Sequence, residues 1–540
     1  MKPDNQSKEL FKGIFILTIA ALLTKILSAF YRIPFQNIVG DVGFYIYQQA
    51  YPFYGLAVVL ATTGFPVVIS KLYAEFREKG DVEGGQRFLF QSFFILQIIG
   101  TILFLILYVG SEEIARVMND PSLAILLKVV SIVFLTFPLI AVLRGYFQGK
   151  GNMLPTAVSQ VAEQAVRVGT ILLLAFLFTR AGYSKYLIGA GAMFGSITGA
   201  IVSASLLFIY LGMQKKKQKN LSYFKIRNSF YDLKKTSVVL SVQGLAICIT
   251  GALLIFIQLA DSLNLYFLLT ENGLEKETAK ALKGVYDRGQ PLIQLGTVVA
   301  TSISLTLVPL ITAKRMNQNT EFILHKIGLA VKINIVVGLA ATTGLWAIIK
   351  PTNIMLFKNS LGSDVLGILT TVIILNSLLA VIIAIMQGIG IMMFPALVIF
   401  LCLPVKYMLN NLLIPAYGTS GAAIATIITI CMAIIVLRIR LLKAIPQKLV
   451  DLPFIKSVLI ATVIMFLVLK VYIAISGGLY DFFPDERMAA ALQAISAVIF
   501  GGLIYLVLII RQSVFNISEL MLLPFGSKLL LFLPKHKGRK

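Results

Sequence analysis

The sequence predicts an all-α polytopic membrane protein: about fourteen transmembrane helices, grouped as two six-helix lobes in parallel repeat with two further helices at the C-terminus. Three observations carry this reading. Apolar runs of bilayer length recur along almost the whole chain, basic residues alternate sharply between successive loops, and two halves of the sequence repeat one another in order.

The apolar runs come first. Of 540 residues, 58% are hydrophobic and 13% charged, where a soluble domain carries about 25% charged residues. A helix of about 20 apolar residues crosses a ~30 Å hydrocarbon core, whereas a β-barrel would show short alternating segments. The spans fall at 12–31, 43–70, 88–109, 122–147, 155–179, 187–211, 236–260, 284–313, 326–349, 365–389, 395–414, 419–441, 455–475 and 489–511. The least marked boundaries are the short connection before the eleventh span and the turn "PAYGTSG" after it. The N-terminus precedes a full-length span and lacks a small-residue cleavage pattern, so no removable signal peptide is expected.

The basic loops give orientation. With the N-terminus inside, about 31 Lys/Arg fall on that side and about 10 on the other, the bias of a cytoplasmic face. The central loop "QKKKQKNLSYFKIRNSFYDLKK" alone holds eight bases and one acid. Both termini are therefore expected to be cytoplasmic. The net charge of +24 reads as attraction to an anionic lipid leaflet rather than to nucleic acid.

The repeat gives architecture. "LIAVLRGYFQGKGNMLP" ends at Pro155 and "LLAVIIAIMQGIGIMMFP" at Pro395, about 240 residues apart. Each is followed by a span with one buried base, Arg167 or Lys406, and then by a small-residue helix, "GAGAMFGSITGA" or "GTSGAAIATIIT". Six spans separate the copies, and an even number preserves orientation, as in parallel-repeat transporters. The expected layout is a first lobe at 1–211, a basic cytoplasmic linker at 212–235, a second lobe at 236–441, two extra spans within 442–511, and a tail at 512–540 lying along the interface.

Buried charge points to a site. A base at the bilayer centre costs about 2.5–3.5 kcal/mol on insertion scales. Lys128, Lys332 and Lys470 lie near span ends, where snorkelling accounts for them. Arg167 follows Glu163 by four residues, so the two are expected to neutralise each other, while Lys406 has no local partner. Lys25 and Arg32 close the first span. Arg288 opens the eighth in "VYDRGQPLIQLG", where Asp287, Gln290 and Gln294 form one polar stripe. Span two adds Gln48 and span seven Asp261. If these spans line a wet cleft, its cations suit a phosphate, and its amides and phenols suit sugars; the plainer reading is a satisfied helix-packing network. Cys248, Cys402 and Cys431 lie in apolar runs and suggest neither disulfides nor zinc. No catalytic constellation, metal cluster or nucleotide-binding loop stands out, so neither an enzyme nor a cofactor is expected.

The stretch from "TKILSAFYRIPFQNIVGDVGFYIYQQAYP" to "VVISKLYAE", together with "VYDRGQPLIQLGTVVATSISLTLVPLI", resembles the polysaccharide flippases of the stage V sporulation protein B and MurJ type. These belong to the multidrug/oligosaccharidyl-lipid/polysaccharide exporter superfamily. The resemblance implies two six-helix lobes with two added helices, and transfer of an undecaprenyl-pyrophosphate-linked sugar, such as lipid II, from the inner to the outer leaflet. It implies a substrate-binding role for Lys25 and Arg288, with Arg32 aligning only roughly; Asp287, Gln48, Gln290, Gln294 and Asp261 are the candidate lining residues from the reading of the spans themselves. This chain has Lys rather than Arg at position 25, a point charge without a bidentate fork. The partners implied are the lipid-linked oligosaccharide, membrane lipids and, as a candidate class, cell-wall synthesis enzymes. A cation-coupled multidrug exporter of the same superfold and a nontransporting cell-wall scaffold are the rival readings.

Overall fold

The computed structural model describes residues 5–217, 233–298, 320–446 and 449–521. Among them it is helical throughout, with no strand. Eleven helical stretches are long and apolar enough to cross a membrane. Two of these, Phe15–Glu78 and Met393–Ala444, each contain two of the expected spans, which makes thirteen. The eighth span, 284–313, is described only as far as residue 298, so the count of fourteen rests on a segment that lies partly outside the described residues. The protein is a multi-pass membrane protein.

The double stretches break at glycine. In Arg32–Val59, Gly40 has φ 71° and ψ −179°, a conformation that a side chain disfavours. Its effect is measurable. On a straight helix, Arg32 and Tyr51 would lie about 28 Å apart, yet the Arg32 guanidinium sits 4.3 Å from the centre of the Tyr51 ring. The chain has folded back. Gly418, at φ 55° and ψ −135°, breaks the second stretch in the "PAYGTSG" turn.

The repeated motif forms the same turn twice. In the first copy, Lys150 N donates to Tyr146 O and Gly151 N to Gln148 O. In the second, Ile389 N donates to Ile385 O and Gly390 N to Gln387 O. Gly151 and Gly390 take φ of 79° and 89°, the left-handed cap that ends a helix and leaves glycine the favoured residue.

By packing, the chain divides into two units: residues 1–287 with 391–429, and residues 288–390 with 430–540. In the first, the helix Lys185–Lys217 lies along Leu154–Arg180 on a ridge of small residues. A side chain at Gly195 would meet Arg167 O at 2.9 Å, and one at Gly199 would meet Glu163 O at 2.8 Å. Backbones approach this closely only where small residues recur four apart. The ridge therefore fixes the part of the neighbouring helix that carries Glu163 and Arg167. Span two contains a π turn at Leu60–Gly64.

In the second unit, Thr320–Ala347, Leu452–Ile475 and Glu486–Arg511 share an apolar core that includes Val336, Met465 and Tyr505. The start of the C-terminal tail joins this core through Phe515 and Leu520, and Glu519 bonds Lys332 at 2.8 Å. That lysine is ion-paired rather than snorkelling. Lys128, at a span end with its side chain exposed as expected, meets the exposed Glu112 at 2.9 Å. The tail beyond residue 521 and most of the basic linker lie outside the described residues.

Two glycines make opposite predictions. Gly199→Val should destabilise the protein by about 1–3 kcal/mol through overpacking against backbone, seen as a lower melting temperature in detergent. Gly169→Ala, where an added Cβ meets nothing within 4 Å, should raise it, because alanine favours a helix interior by up to about 1 kcal/mol.

Candidate functional site

Within the first unit, buried polar groups gather into three networks. The first corrects an expectation. Glu163 does not neutralise Arg167; it bonds Arg144 at 2.7 Å. Arg144 is fully buried and also donates to Ser159, Ser203 and Ala61 O. That last carbonyl belongs to the π turn, where the helical ladder is interrupted and a carbonyl is freed for another donor. Arg144 is thus a satisfied, structural cation.

The second network joins helices distant in sequence. Lys406, expected to lack a partner, bonds Asp261 at 2.9 Å. Its ammonium also donates to Asn410 Oδ1 at 2.7 Å and Ala422 O at 2.6 Å. Asp261 further accepts from Tyr286 OH at 2.9 Å and Asn410 Nδ2 at 2.9 Å. Asp287 is buried, 4% exposed. It accepts Lys283 through both oxygens at 2.7 Å, four residues back on Lys276–Asp287.

The third network has no acid in it. Tyr47, Tyr51 and Tyr54 recur at helical spacing along one face of span two. Tyr31 joins them from the junction between Asn5–Phe30 and Arg32–Val59. Their face receives Arg167 from Leu154–Arg180. Arg167 Nη2 donates to Tyr31 OH at 3.0 Å and Tyr47 OH at 2.9 Å. Its guanidinium lies 4.0 Å from the centre of the Tyr54 ring and 5.8 Å from that of Tyr51. Arg32 approaches the same Tyr51 ring. The two cations therefore flank one ring, and they are 2% and 1% exposed for Arg32 and Arg167. Among the described residues neither bonds a carboxylate. Arg32 Nε, Arg167 Nε, Gln48 Oε1, Gln49 Oε1 and Gln164 Nε2 are buried without a hydrogen-bond partner. Native proteins leave few such atoms unsatisfied, and a water or ligand is their ordinary complement.

The residues singled out from sequence are thus dispersed. Arg32 and Gln48 belong to the tyrosine-lined network, and Asp261 and Asp287 to the lysine-paired one. Lys25 is half-buried in the first span. Arg288, Gln290 and Gln294 belong to the second packing unit. There Arg288 donates to Asn353 and Asn359 at 3.2 and 2.7 Å. The stripe crosses a notch at Arg288, which keeps helical dihedrals (φ −57°, ψ −23°) between Lys276–Asp287 and Gly289–Gly296. Pro291 lacks the N–H that would bond the Asp287 carbonyl. Sequence reasoning missed Arg144, Lys283, Tyr47 and Tyr54. For the tyrosines the signal was present: 47, 51 and 54 are one helical face.

Comparison with known proteins follows the fold. The model of the polysaccharide biosynthesis protein family matches residues 10–314. The uncharacterized membrane protein YabM of Bacillus subtilis strain 168 is 41% identical over 98% of this chain and 97% of its own length. The lipid II flippase MurJ of the same organism is 27% identical over 93% and 95%. Stage V sporulation protein B, also from that organism, is 36% identical over 41% of each chain. Among solved structures, lipid II flippase MurJ in an inward closed conformation matches with TM-score 0.64 and 17% identity, covering 91% of this chain and 98% of that one. An inward-facing multidrug resistance MATE family transporter of the MOP superfamily matches with TM-score 0.59 and 17% identity, over 78% and 96%. At these identities the structural likeness concerns the fold.

The buried Asp261–Lys406 pair can be tested by a mutant cycle. Asp261→Asn strands an ammonium and Lys406→Met strands a carboxylate, so each alone should cost about 3–5 kcal/mol. The double variant should recover most of that loss in a thermal or denaturant melt.

Proposed function

Because the chain belongs to the polysaccharide biosynthesis protein family, a family of membrane transporters of the MurJ and MOP type, we propose that it is a flippase. Its substrate is an undecaprenyl-pyrophosphate-linked sugar, of which lipid II is one example, and the direction is from inner to outer leaflet. Both termini lie in the cytoplasm, and the repeat divides the transporter into lobes at 1–211 and 236–441. One observation carries the reading: Arg32 and Arg167 are buried cations held by phenol hydroxyls and ring faces rather than by carboxylates. Arg144, Lys283 and Lys406 each have an acid. The other two buried bases among the described residues of the first unit have positive charge to offer.

The chemistry fits a diphosphate joined to a glycan. Guanidinium groups present forked donors that match phosphate oxygens. Amides and tyrosine faces suit hydroxyl-rich rings. The unsatisfied Gln48, Gln49 and Gln164 atoms stand beside them. Lys25 is a further cation of the first unit; Arg288, Gln290 and Gln294, in the second unit, are proposed as substrate contacts of their own; Asp261 and Asp287 serve by fixing lysines of the first unit. Dragging such a headgroup through bare hydrocarbon is prohibitively costly. A cationic, wettable interior replaces its water while the polyprenyl tail stays in lipid.

A cation-coupled drug exporter would need a deep carboxylate open to its ion. Glu163, Asp261 and Asp287 are each already bonded to a base, which speaks against that reading. The same pairing leaves none of the three as a free general acid or base, so transport without chemistry is the reading favoured over an enzyme.

The proposal is tested in proteoliposomes holding undecaprenyl-pyrophosphate-linked sugar, with a leaflet-specific readout. Arg32→Ala and Arg167→Ala should each slow flipping at least tenfold. Arg167→Lys should recover little, because it keeps the charge but loses the fork and the stacking. Full activity in the folded Arg32→Ala/Arg167→Ala double variant would remove the basis of the proposal.

A further inference from the structure

The end of the first unit farthest from the N-terminus carries a fourth polar assembly, which adjoins the third at Gln49. Its centre is Asp120, in the connection between the third and fourth spans and 5% exposed. Tyr186, at the start of Lys185–Lys217, donates to Asp120 at 2.8 Å. Tyr45, at the far end of span two, donates to it at 3.2 Å. Lys280, on Lys276–Asp287, donates to the Tyr186 hydroxyl at 3.0 Å. The Tyr186 hydroxyl therefore accepts from a lysine and donates to an aspartate, which chains Lys280 to Asp120.

Two further ties run the same way. Asn119 donates to Thr270 Oγ1 at 3.1 Å, and Gln49 donates to Ser262 O at 3.2 Å. The rings of Tyr45 and Tyr266 meet at 5.2 Å. Below them, a side chain at Gly284 would collide with the Asp41 carbonyl, so the two backbones touch. Apart from the two bonds that Asp120 accepts, each of these contacts joins the spans before the central linker to Leu253–Glu271 or Lys276–Asp287.

We propose that the Lys280–Tyr186–Asp120 chain is a latch: it holds this end of the unit shut, and it must break before anything held among these helices can leave by that face. The latch, like the Asn119–Thr270 and Gln49–Ser262 ties beside it, is made of hydrogen bonds. Water can replace its bonds one for one, so it can open without exposing a large apolar surface. Being short, it can also be undone by losing one hydroxyl. This goes beyond the proposed substrate and does not depend on it.

The latch also responds to pH. Burial raises the Asp120 carboxyl above its usual value, although Tyr186, Lys280 and Tyr45 pull the other way. The titratable and charged groups facing it are Tyr45, Tyr186, Tyr266, Lys280 and Glu277. The acids of its own connection are engaged elsewhere, Glu112 with Lys128 and Glu113 with Arg116. Opening exposes Asp120 to water and returns it to the ordinary value of about 3.9. The closed form therefore binds a proton more tightly than the open form. By linkage, acid at this face favours closure, and raising the pH through the elevated value weakens it.

The test uses full-length protein with Cys248, Cys402 and Cys431 replaced by alanine and a single reporter, Ser262→Cys, at a position 2% exposed. Labelling by a membrane-impermeant maleimide is measured from about pH 4.5 to about pH 7.5, across the upward side of a carboxylate titration. Each rate is normalised to the unfolded protein at the same pH, which removes the thiol's own titration. Tyr186→Phe and Lys280→Met should each speed labelling several-fold while melting with the parent. The parent should label more slowly in acid, and Asp120→Asn should flatten that response. Parental labelling rates in both well-folded latch variants would overturn the latch. Faster labelling in acid, or a pH response that persists in Asp120→Asn, would overturn its proton linkage. Neither readout requires transport, so a failure of the flipping assay leaves this result distinct.

Discussion

A cation inside a bilayer-spanning bundle must find an anion, a lone pair or a ring face within the protein, because hydrocarbon supplies none. Much of the first unit is organised by that requirement. Arg144 ties three helices to the freed carbonyl of a π turn and to Glu163. Lys406 ties two more to Asp261 and to the Ala422 carbonyl. With those debts met by acids, Arg32 and Arg167 stand out, among the described residues, as bases bonded to tyrosines and, for Arg167, to the Gln164 amide rather than to a carboxylate. The contrast between matched and unmatched cations gives the interior its positive surplus, and the glycine ridge beside residues 163 and 167 holds that contrast in place.

Hydropathy and small-residue patterning made the architecture legible. Span length follows from bilayer thickness, and the twin "QGxGxM" segments had to form similar turns because each places glycine where φ is positive. The pairing of charges was not legible, for a physical reason. Glu163 and Arg167 share a helix face, so local geometry favours their union. A third helix brings Arg144 to the same carboxylate, and tertiary distance overrides sequence distance. Lys406 looked unpartnered because its acid lies in another span, joined only by folding.

The aromatic cage shows the opposite case. Tyr47, Tyr51 and Tyr54 were readable as a stripe, yet a stripe of phenols announces nothing until a guanidinium is placed against it. The fold-back at Gly40 adds the other half: it converts a separation along the chain into a contact, and so lets one helical hairpin supply both Arg32 and the ring beneath it. A cation–ring cage made this way is set by backbone geometry more than by side-chain identity alone.

The π turn at Leu60–Gly64 has a consequence of its own. One extra residue in a helix advances everything after it by about 100° around the axis. The two ends of span two therefore keep different azimuths: the tyrosine face on one side of the bulge, and on the other Ile69, packed against Gly145. The bulge acts as a phase shifter within a single rod. A one-residue insertion or deletion there would leave the rod's composition almost untouched while re-aiming one half of it, so the length of this stretch is constrained independently of its composition.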